Sequence, residues 1–143
     1  MIGHTTATPS EVMDEVLARH FDAEARNDMA AILDTLTPDV EHDVVGWPTG
    51  PNVGYDALQP FYVQLFADFE TTDVKPLRRY YGDSFCVDEV EYHAIATGHP
   101  FGLEGRNRPV SFRLLHICEF RDGRMSRENV WLDSATLFAQ LAD

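Results

Sequence analysis

The spacing of apolar residues changes once along this chain, from a helical period to the two-residue period of strands. Before residue 70, apolar residues recur at helical spacing in three segments, with one short strand predicted between the second and the third. After residue 73, four segments alternate: "VKPLRRYY", "SFCVDEVEYHAIAT", "VSFRLLHICEF" and "RMSRENVWLD". A short helix, "SATLFAQL", follows them. Helices grouped early and antiparallel strands grouped late predict an α+β fold.

Length and charge narrow the class of protein further. The 143 residues suit a single domain, residues 1–143, with residues 1–8 as a tail. A formal net charge of -13 repels phosphate backbones and anionic lipids, so no nucleic-acid or membrane partner is expected, and a small neutral or weakly polar ligand fits better. No secretory signal is visible, and Cys86 and Cys118 lie in apolar strand segments. We therefore expect free thiols and a cytoplasmic protein.

The last two strands meet at Asp122-Gly123, which is typical of a two-residue hairpin turn. Such a turn pairs Phe120 with Met125 and, in continuous register, His116 with Asn129. Because side chains alternate across a strand, one face of the sheet then contains two sets of residues. They are Phe112, Leu114, His116, Cys118 and Phe120 on one strand, and Met125, Arg127, Asn129, Trp131 and Asp133 on the other.

The opposite face of this hairpin is also substantially apolar. It contains Leu115, Ile117, Val130 and Leu132 among the charged residues Arg113, Glu119 and Glu128. The helices can cover only one of the two faces, so we expect a second subunit on the other, giving a homodimer through the outer sheet face. The three charged residues are interpreted as a structural network.

The first face combines polar groups with an apolar wall. His116, Asn129 and Asp133 lie there among Phe112, Leu114 and Trp131. Burying such polar groups costs about 1–3 kcal/mol for each one left without a partner. An apolar wall with a few convergent polar groups is typical of a small-ligand pocket. A carboxylate held there would have a raised pKa and could serve as a general acid or base.

Asp133 has two possible roles, since it also directly precedes "SATLF". It can cap the last helix by accepting the first free N–H groups, or it can transfer protons. His116 is either a hydrogen-bonded core residue or a proton-transfer partner, with Asn129 opposite it in both cases. Trp131 is core or an aromatic wall of the pocket.

Further ligand contacts are predicted from the helices and loops. His20 and Tyr62 lie on apolar helical faces, where each is a core residue or a pocket contact. Trp47, at the end of the first strand, and His99, in a glycine-rich loop, are included as substrate contacts. His42, His93 and His99 lack the short fixed spacing of a metal motif, so no metal and no cofactor are predicted.

Three segments resemble the SnoaL-like polyketide cyclases of the nuclear transport factor 2-like superfamily. They are "HICEFRDGRMSRENVWLDSATLFAQL", "RNDMAAILDTLTPDVEHDV" and "GYDALQPFYVQLF", and the resemblance extends from about Val12 to Leu141. It implies a cone, in which a strongly curved antiparallel sheet wraps around three N-terminal helices and leaves an internal pocket. It also implies a homodimer, and it places the cyclases' catalytic acid/base at Asp133.

The resemblance leaves several reactions open. Limonene-type epoxide hydrolases have an Arg-x-Asp, whereas Arg113 is followed by Leu114-Leu115, which argues against epoxide hydrolysis. Ketosteroid isomerases need a tyrosine and a second protonated acid that cannot both be placed here. Dehydratases of this fold use pocket histidines with an Asp and an Asn, as His116, Asn129 and Asp133 could provide.

Two functions follow from these features. The first is a cofactor-free acid/base enzyme for a small hydrophobic carbonyl substrate, polyketide-like or aromatic, with Asp133 and His116 as catalytic residues. Cyclisation is the first candidate reaction, and isomerisation or dehydration is the next. The alternative is a protein of the same fold that binds a small hydrophobic ligand without turning it over.

Overall fold

A computed structural model describes residues 7–143, so residues 1–6 of the predicted tail lie outside the described residues. The elements are α1 (Ser10–Ala25), α2 (Met29–Asp34), β1 (Leu36–Val44), β2 (Asn52–Val53), α3 (Tyr55–Asp68), β3 (Phe69–Gly82), β4 (Phe85–Ala96), β5 (Arg108–Arg121), β6 (Arg124–Leu132) and α4 (Ser134–Leu141), with a 3-10 turn at Pro100–Gly102. The predicted α+β fold, with three helices before the main group of strands, is confirmed.

The strands form one curved, six-stranded sheet in the order β2-β1-β6-β5-β4-β3. Four of the neighbouring pairs are antiparallel, but β1 runs parallel to β6. The sheet is therefore mixed, whereas an entirely antiparallel sheet was expected. A hairpin dictates antiparallel pairing, but β1 and β6 are distant in sequence and no turn determines their relative direction.

Helix α1 buries a slightly different stripe from the one that its apolar residues suggest. The buried side chains are Met13, Val16, Leu17, His20 and Ala23, at helical spacing. From the sequence, His20 was predicted to be a core residue or a pocket contact. His20 is in fact fully buried, so a titratable ring lies inside the core between α1 and the sheet.

Two apolar clusters flank the interior of the sheet. The larger one joins α1, α2 and α3 to β1, β5 and β6. In the smaller one, Leu137 and Leu141 of α4 pack with Phe69, Ala96 and Phe112. The interior cavity described below is lined by members of both clusters.

The β5–β6 hairpin contains a bulge that changes its register. Phe120 pairs with Met125 as predicted, but the next pair is Glu119 with Arg127, which leaves Ser126 as an extra residue. At the bulge, the Met125 N–H donates to the Thr35 carbonyl at 2.9 Å. A one-residue slip transfers every later side chain of a strand to the other face of the sheet.

The predicted placement of three site residues is therefore wrong. His116 pairs with Val130 rather than with Asn129. Asn129 accepts a hydrogen bond from Arg127 on the outer face, and Trp131 is 52% exposed. Asp133 lies beyond the end of β6, at the start of α4. The inward-facing residues of β6 are Glu128, Val130 and Leu132.

The predicted charged network on the outer face is also different. Glu128 is not part of this network, because its side chain lies in the interior and the residue is only 2% exposed. Arg113 lies 3.5 Å from Glu89, and Glu119 lies 3.5 Å from Arg127. Among residues 7–143, the helices are all too short or too polar to cross a membrane.

Candidate functional site

A buried carboxylate, Glu128 of β6, lies at the centre of the interior polar cluster. Three histidines from three other elements surround it. His20 Nε2 is 3.3 Å from Glu128 Oε2, His42 Nε2 is 3.6 Å from the same oxygen, and His116 Nε2 is 4.0 Å from Oε1. These contacts are ion-pair distances, and Glu128 Oε2 has no hydrogen-bond partner among the described residues. The carboxylate is therefore held mainly by charge.

His20 of α1 is fixed in one orientation. Its Nδ1 is 2.7 Å from the Thr35 hydroxyl, which itself donates to the Ile32 carbonyl at 2.6 Å. The hydroxyl must therefore accept from His20, so Nδ1 carries a proton. On the other side of the ring, Nε2 lies 2.7 Å from Glu24 Oε1, which also accepts from the Tyr62 hydroxyl at 3.1 Å. His20 is thus placed between a hydroxyl and two carboxylates.

The surroundings make His20 the permanent positive charge of the cluster. Burial alone would lower its pKa, but the Glu128 and Glu24 carboxylates outweigh this and raise the pKa to about 10. Burial would likewise raise the pKa of Glu128, but His20, with His42 and His116, lowers it below the usual range. An ionised His20–Glu128 pair therefore lies in the core at neutral pH.

His42 and His116 differ from His20, because each retains an unpaired ring nitrogen. No described residue forms a hydrogen bond with Nδ1 of either ring. Burial lowers the pKa of His42, so its imidazole is neutral at neutral pH, although Glu128 partly opposes this. His116 Nδ1 lies 3.8 Å from Asp88 Oδ2, and Arg79 binds the other oxygen of Asp88 at 2.8 Å. Each of the two rings therefore keeps one nitrogen that no described residue engages in a hydrogen bond.

A cavity of about 80 Å³ adjoins this cluster. Glu24, His42, Thr71, His116 and Glu128 form its polar part. The rest of its wall is mostly apolar and aromatic: Val44, Trp47, Phe61, Leu65, Phe66, Phe69, Tyr92, Phe101, Phe112, Leu114, Val130 and Leu132. An apolar chamber with a few convergent titratable groups is typical of a site for a small organic ligand.

The residues proposed from the sequence fall into four groups. Phe112, Leu114, His116 and Trp47 line this cavity. His20 and Tyr62 are fully buried behind its polar wall. His99 lines a second, outer chamber, and Asn129, Trp131 and Asp133 line neither.

Four polar residues of the site were missed as site residues or given other roles. Glu128 was assigned to the outer face, His42 was considered only as a metal ligand, and Asp88 and Glu24 were not among the predicted site residues. The signal for Glu128 was present in the sequence, because it alternates with the apolar residues Val130 and Leu132. That set is a better core face than one containing Arg127 and Asn129.

Asp133 is the N-cap of α4. Its carboxylate accepts from the Thr136 N–H at 3.2 Å and from the Thr136 hydroxyl at 2.6 Å. These bonds with Thr136 lower the pKa of Asp133, whereas a general base near neutral pH needs a raised one. The capping interpretation is confirmed, and this geometry does not support a proton-transfer role for Asp133.

Substituting Asp133→Asn is expected to lower the free energy of unfolding by less than about 1 kcal/mol, because asparagine also caps helices well. Asp133→Ala should cost about 0.5–2 kcal/mol, since the cap is lost. Urea denaturation measures both values. An unfolding free energy of Asp133→Ala equal to that of wild type would contradict the capping role.

The cluster also has the composition of a possible cation site. Ligand atoms of His20, Glu24 and Glu128 lie within 4.8 Å of one another. However, two ligands of one tetrahedral metal with bonds of about 2.0–2.1 Å are roughly 3.3 Å apart, and His20 Nε2 is only 2.7 Å from Glu24 Oε1. This shorter contact is that of a direct ion pair.

Wild-type protein is expected to lose stability as the pH rises from 7 to 9. Folded His20 has a pKa of about 10, whereas an unfolded histidine has a pKa of about 6.5. The stabilisation by protonated His20 is complete below the pKa of the unfolded state. Between the two pKa values, only the folded chain retains the proton. The free energy of unfolding should fall by up to about 1.4 kcal/mol per pH unit, measured by urea denaturation. A free energy of unfolding that stays constant from pH 7 to 9, in wild type and in the surface variant His93→Gln, would contradict a charged His20.

Comparisons with known proteins agree with this fold. A family model described as a SnoaL-like domain matches residues 17–128. No curated protein sequence gives a significant match. Among solved structures, a candidate SnoaL-like polyketide cyclase from a Jannaschia species has a TM-score of 0.81 at 14% identity, covering 99% of this chain and 96% of the other.

Two further structures carry different descriptions. A candidate polyketide cyclase from a Silicibacter species has a TM-score of 0.79 at 22% identity, covering 93% of this chain and 97% of the other. A candidate isomerase from Rhodopseudomonas palustris has a TM-score of 0.75 at 19% identity, covering 87% and 94%. At these identities the likeness establishes a shared fold.

Proposed function

Because this chain belongs to the SnoaL-like domain family, we propose that it is a cofactor-free acid/base enzyme that acts on a small hydrophobic carbonyl compound. One observation carries the proposal: the neutral imidazole of His42 belongs to the cavity wall, its Nε2 lies 3.6 Å from the Glu128 carboxylate, and its buried Nδ1 has no hydrogen-bond partner among the described residues. A histidine oriented by a carboxylate on one nitrogen and free on the other is an arrangement suited to general-base catalysis.

The proton transfer follows from this geometry. His42 Nδ1 takes a proton from the carbon next to the substrate carbonyl, and the C–H electron pair moves into an enolate. Glu128 stabilises the imidazolium that forms, as the carboxylate does in a Ser-His-Asp triad. His116, on the other side of Glu128, donates a hydrogen bond to the enolate oxygen.

Cyclisation is the first candidate for the second step. The enolate carbon attacks another carbonyl of the same molecule, a C–C bond forms, and the resulting alkoxide takes a proton from the cluster. Return of the proton to a different carbon would be isomerisation, and loss of the new hydroxyl as water would be dehydration. Structural relatives described as cyclases and as an isomerase support this range of reactions.

Deuterium exchange tests the first step without knowledge of the natural substrate. Cyclohexanone is small enough to enter the cavity, and exchange of its protons next to the carbonyl in D2O is followed by proton NMR. We expect exchange that depends on enzyme concentration and that Asp133→Asn retains. If cyclohexanone protects the protein against thermal unfolding but no enzyme-dependent exchange occurs, the proposal fails in favour of a non-catalytic binding protein.

We also propose a homodimer through the outer face of the sheet, where Trp131 is 52% exposed near the partly buried Leu115 and Ile117. Trp131→Glu places a charge in this apolar surface and is expected to give a monomer at micromolar concentration by light scattering. Val63→Glu, at a 64% exposed position on α3, is the matched control and should keep the dimer. A wild-type monomer would contradict the proposal.

A further inference from the structure

The interior cavity has a larger neighbour on the other side of an aromatic wall. This outer chamber has a volume of about 490 Å³, against about 80 Å³ for the inner one. Trp47, Phe61 and Phe101 line both chambers. The two spaces therefore share these three aromatic side chains as a common wall.

The wall is built by two loops and a helix. Trp47 lies between β1 and β2, Phe101 lies in the 3-10 turn between β4 and β5, and Phe61 belongs to α3. The Trp47 and Phe101 rings meet edge to face with centroids 5.1 Å apart, and Trp47 meets Phe61 at the same distance. Such contacts are weak, about 0.5–1.5 kcal/mol per pair beyond burial. A ligand of modest affinity can displace them.

The base of the Phe101 loop is held by hydrogen bonds and by a close approach of its backbone to the end of α3. The buried Asp68 accepts the His99 N–H at 2.9 Å, and Thr97 donates to the Ala67 carbonyl at 2.9 Å. A Cβ at Gly98 would lie 2.7 Å from Asp68 Oδ1, which requires glycine there. Phe101 itself has a left-handed backbone, with φ of 54°. This loop positions one ring over the cavity from a fixed base.

The size of the inner chamber limits what it can hold. A cavity needs roughly 10–15 Å³ of volume to hold one water-sized group. The 80 Å³ of the inner chamber therefore accept about five to eight non-hydrogen atoms. That is one ring with its carbonyl oxygen. A polyketide-like substrate is longer, and the rest of it must lie elsewhere.

We propose that the outer chamber binds the distal part of an elongated substrate whose carbonyl-bearing ring occupies the inner chamber, with Trp47 and Phe101 parting around the connection. This inference rests on the proposed function for the identity of the reactive end. The outer chamber combines apolar surface from Ala57 and Pro60 with the polar side chains of Asn52, Gln64 and His99. It suits an apolar segment that carries hydrogen-bonding substituents.

Calorimetric titration with two phenols, 4-methylphenol and 4-pentylphenol, tests the inference by binding alone, independently of turnover. The phenol ring fits the inner chamber, and the alkyl chain extends past the wall. Each methylene that leaves water strengthens binding about fourfold. We expect wild-type protein to bind 4-pentylphenol at least thirtyfold more tightly than 4-methylphenol.

Ala57→Trp fills the outer chamber from an exposed position on α3, and Ala30→Trp is the matched control on α2, outside both chambers. Ala57→Trp should weaken 4-pentylphenol binding at least tenfold and leave 4-methylphenol within twofold. Ala30→Trp should change neither. Equal affinities of the two phenols for wild type, equal effects of Ala57→Trp on both, or no binding of either at millimolar concentration would overturn the inference.

Deuterium exchange of cyclohexanone distinguishes a failure of this inference from a failure of the proposed function. Exchange in wild type with no chain-length dependence in phenol binding would overturn only the outer chamber as a binding site. Chain-length dependence without exchange would leave the outer chamber supported and remove the catalytic role of the inner one.

Discussion

Replacing Glu128 with glutamine is expected to lower the free energy of unfolding by about 3–5 kcal/mol, the cost typical of removing one partner of a buried ion pair. Glu128 is 2% exposed and is the shared anionic neighbour of His20, His42 and His116. Without its charge, protonated His20 retains only Glu24 as a counter-ion. Chemical denaturation at pH 7 measures the loss.

Glu119→Gln is the matched control for this substitution. Glu119 lies on β5, on the outer face, with 53% of its side chain exposed, and it contacts Arg127 at 3.5 Å. An exposed pair of this kind contributes about 0–1 kcal/mol. Similar losses in the two variants would mean that the interior cluster does not depend on the Glu128 charge.

Replacing His42 with glutamine is expected to lower cyclohexanone exchange by at least about 100-fold, because general-base catalysis contributes about 10²–10⁴-fold. Glutamine is uncharged, as His42 is at neutral pH, and its amide can still donate to Glu128. The fold should therefore persist, which thermal unfolding checks. The side chain, however, can no longer accept a proton.

His93→Gln provides the comparison for the loss of a histidine in general. His93 lies on β4, partly exposed, and pairs with Glu91 at 2.6 Å outside both chambers. The His93→Gln variant should catalyse deuterium exchange of cyclohexanone at the wild-type rate. Full activity in His42→Gln, with a folded protein, would assign proton abstraction to another member of the cluster, and His116→Gln would then be the next variant to measure.

The fold was predictable because its determinants are local or repeated. Helical spacing in α1 and α3, alternation along β4 and β5, and the Asp122-Gly123 turn each depend on residues close in sequence. The inward face of β5, with Phe112, Leu114 and His116, follows from alternation alone. The family resemblance added the arrangement of these elements around a pocket.

The site was predicted only in part, because the extra residue Ser126 reverses the faces of the β6 side chains that follow it. Alternation from the turn placed Asn129, Trp131 and Asp133 inward, and the extra Ser126 reversed that placement. A bulge adds one residue to a strand and is stabilised here by contacts with distant segments, such as the Met125 N–H bond to Thr35. No local pattern around the hairpin specifies those contacts.

By itself the sequence determined the α+β class, the strand faces before the bulge, and a capping role open to Asp133. Only the tertiary structure decided which acid enters the interior. Glu128 is inward because β6 shifts by one residue at Ser126, and its charge is tolerated because α1 and β1 bring His20 and His42 to it. A buried charge depends on partners that are far away in sequence, and their convergence is a property of the folded chain.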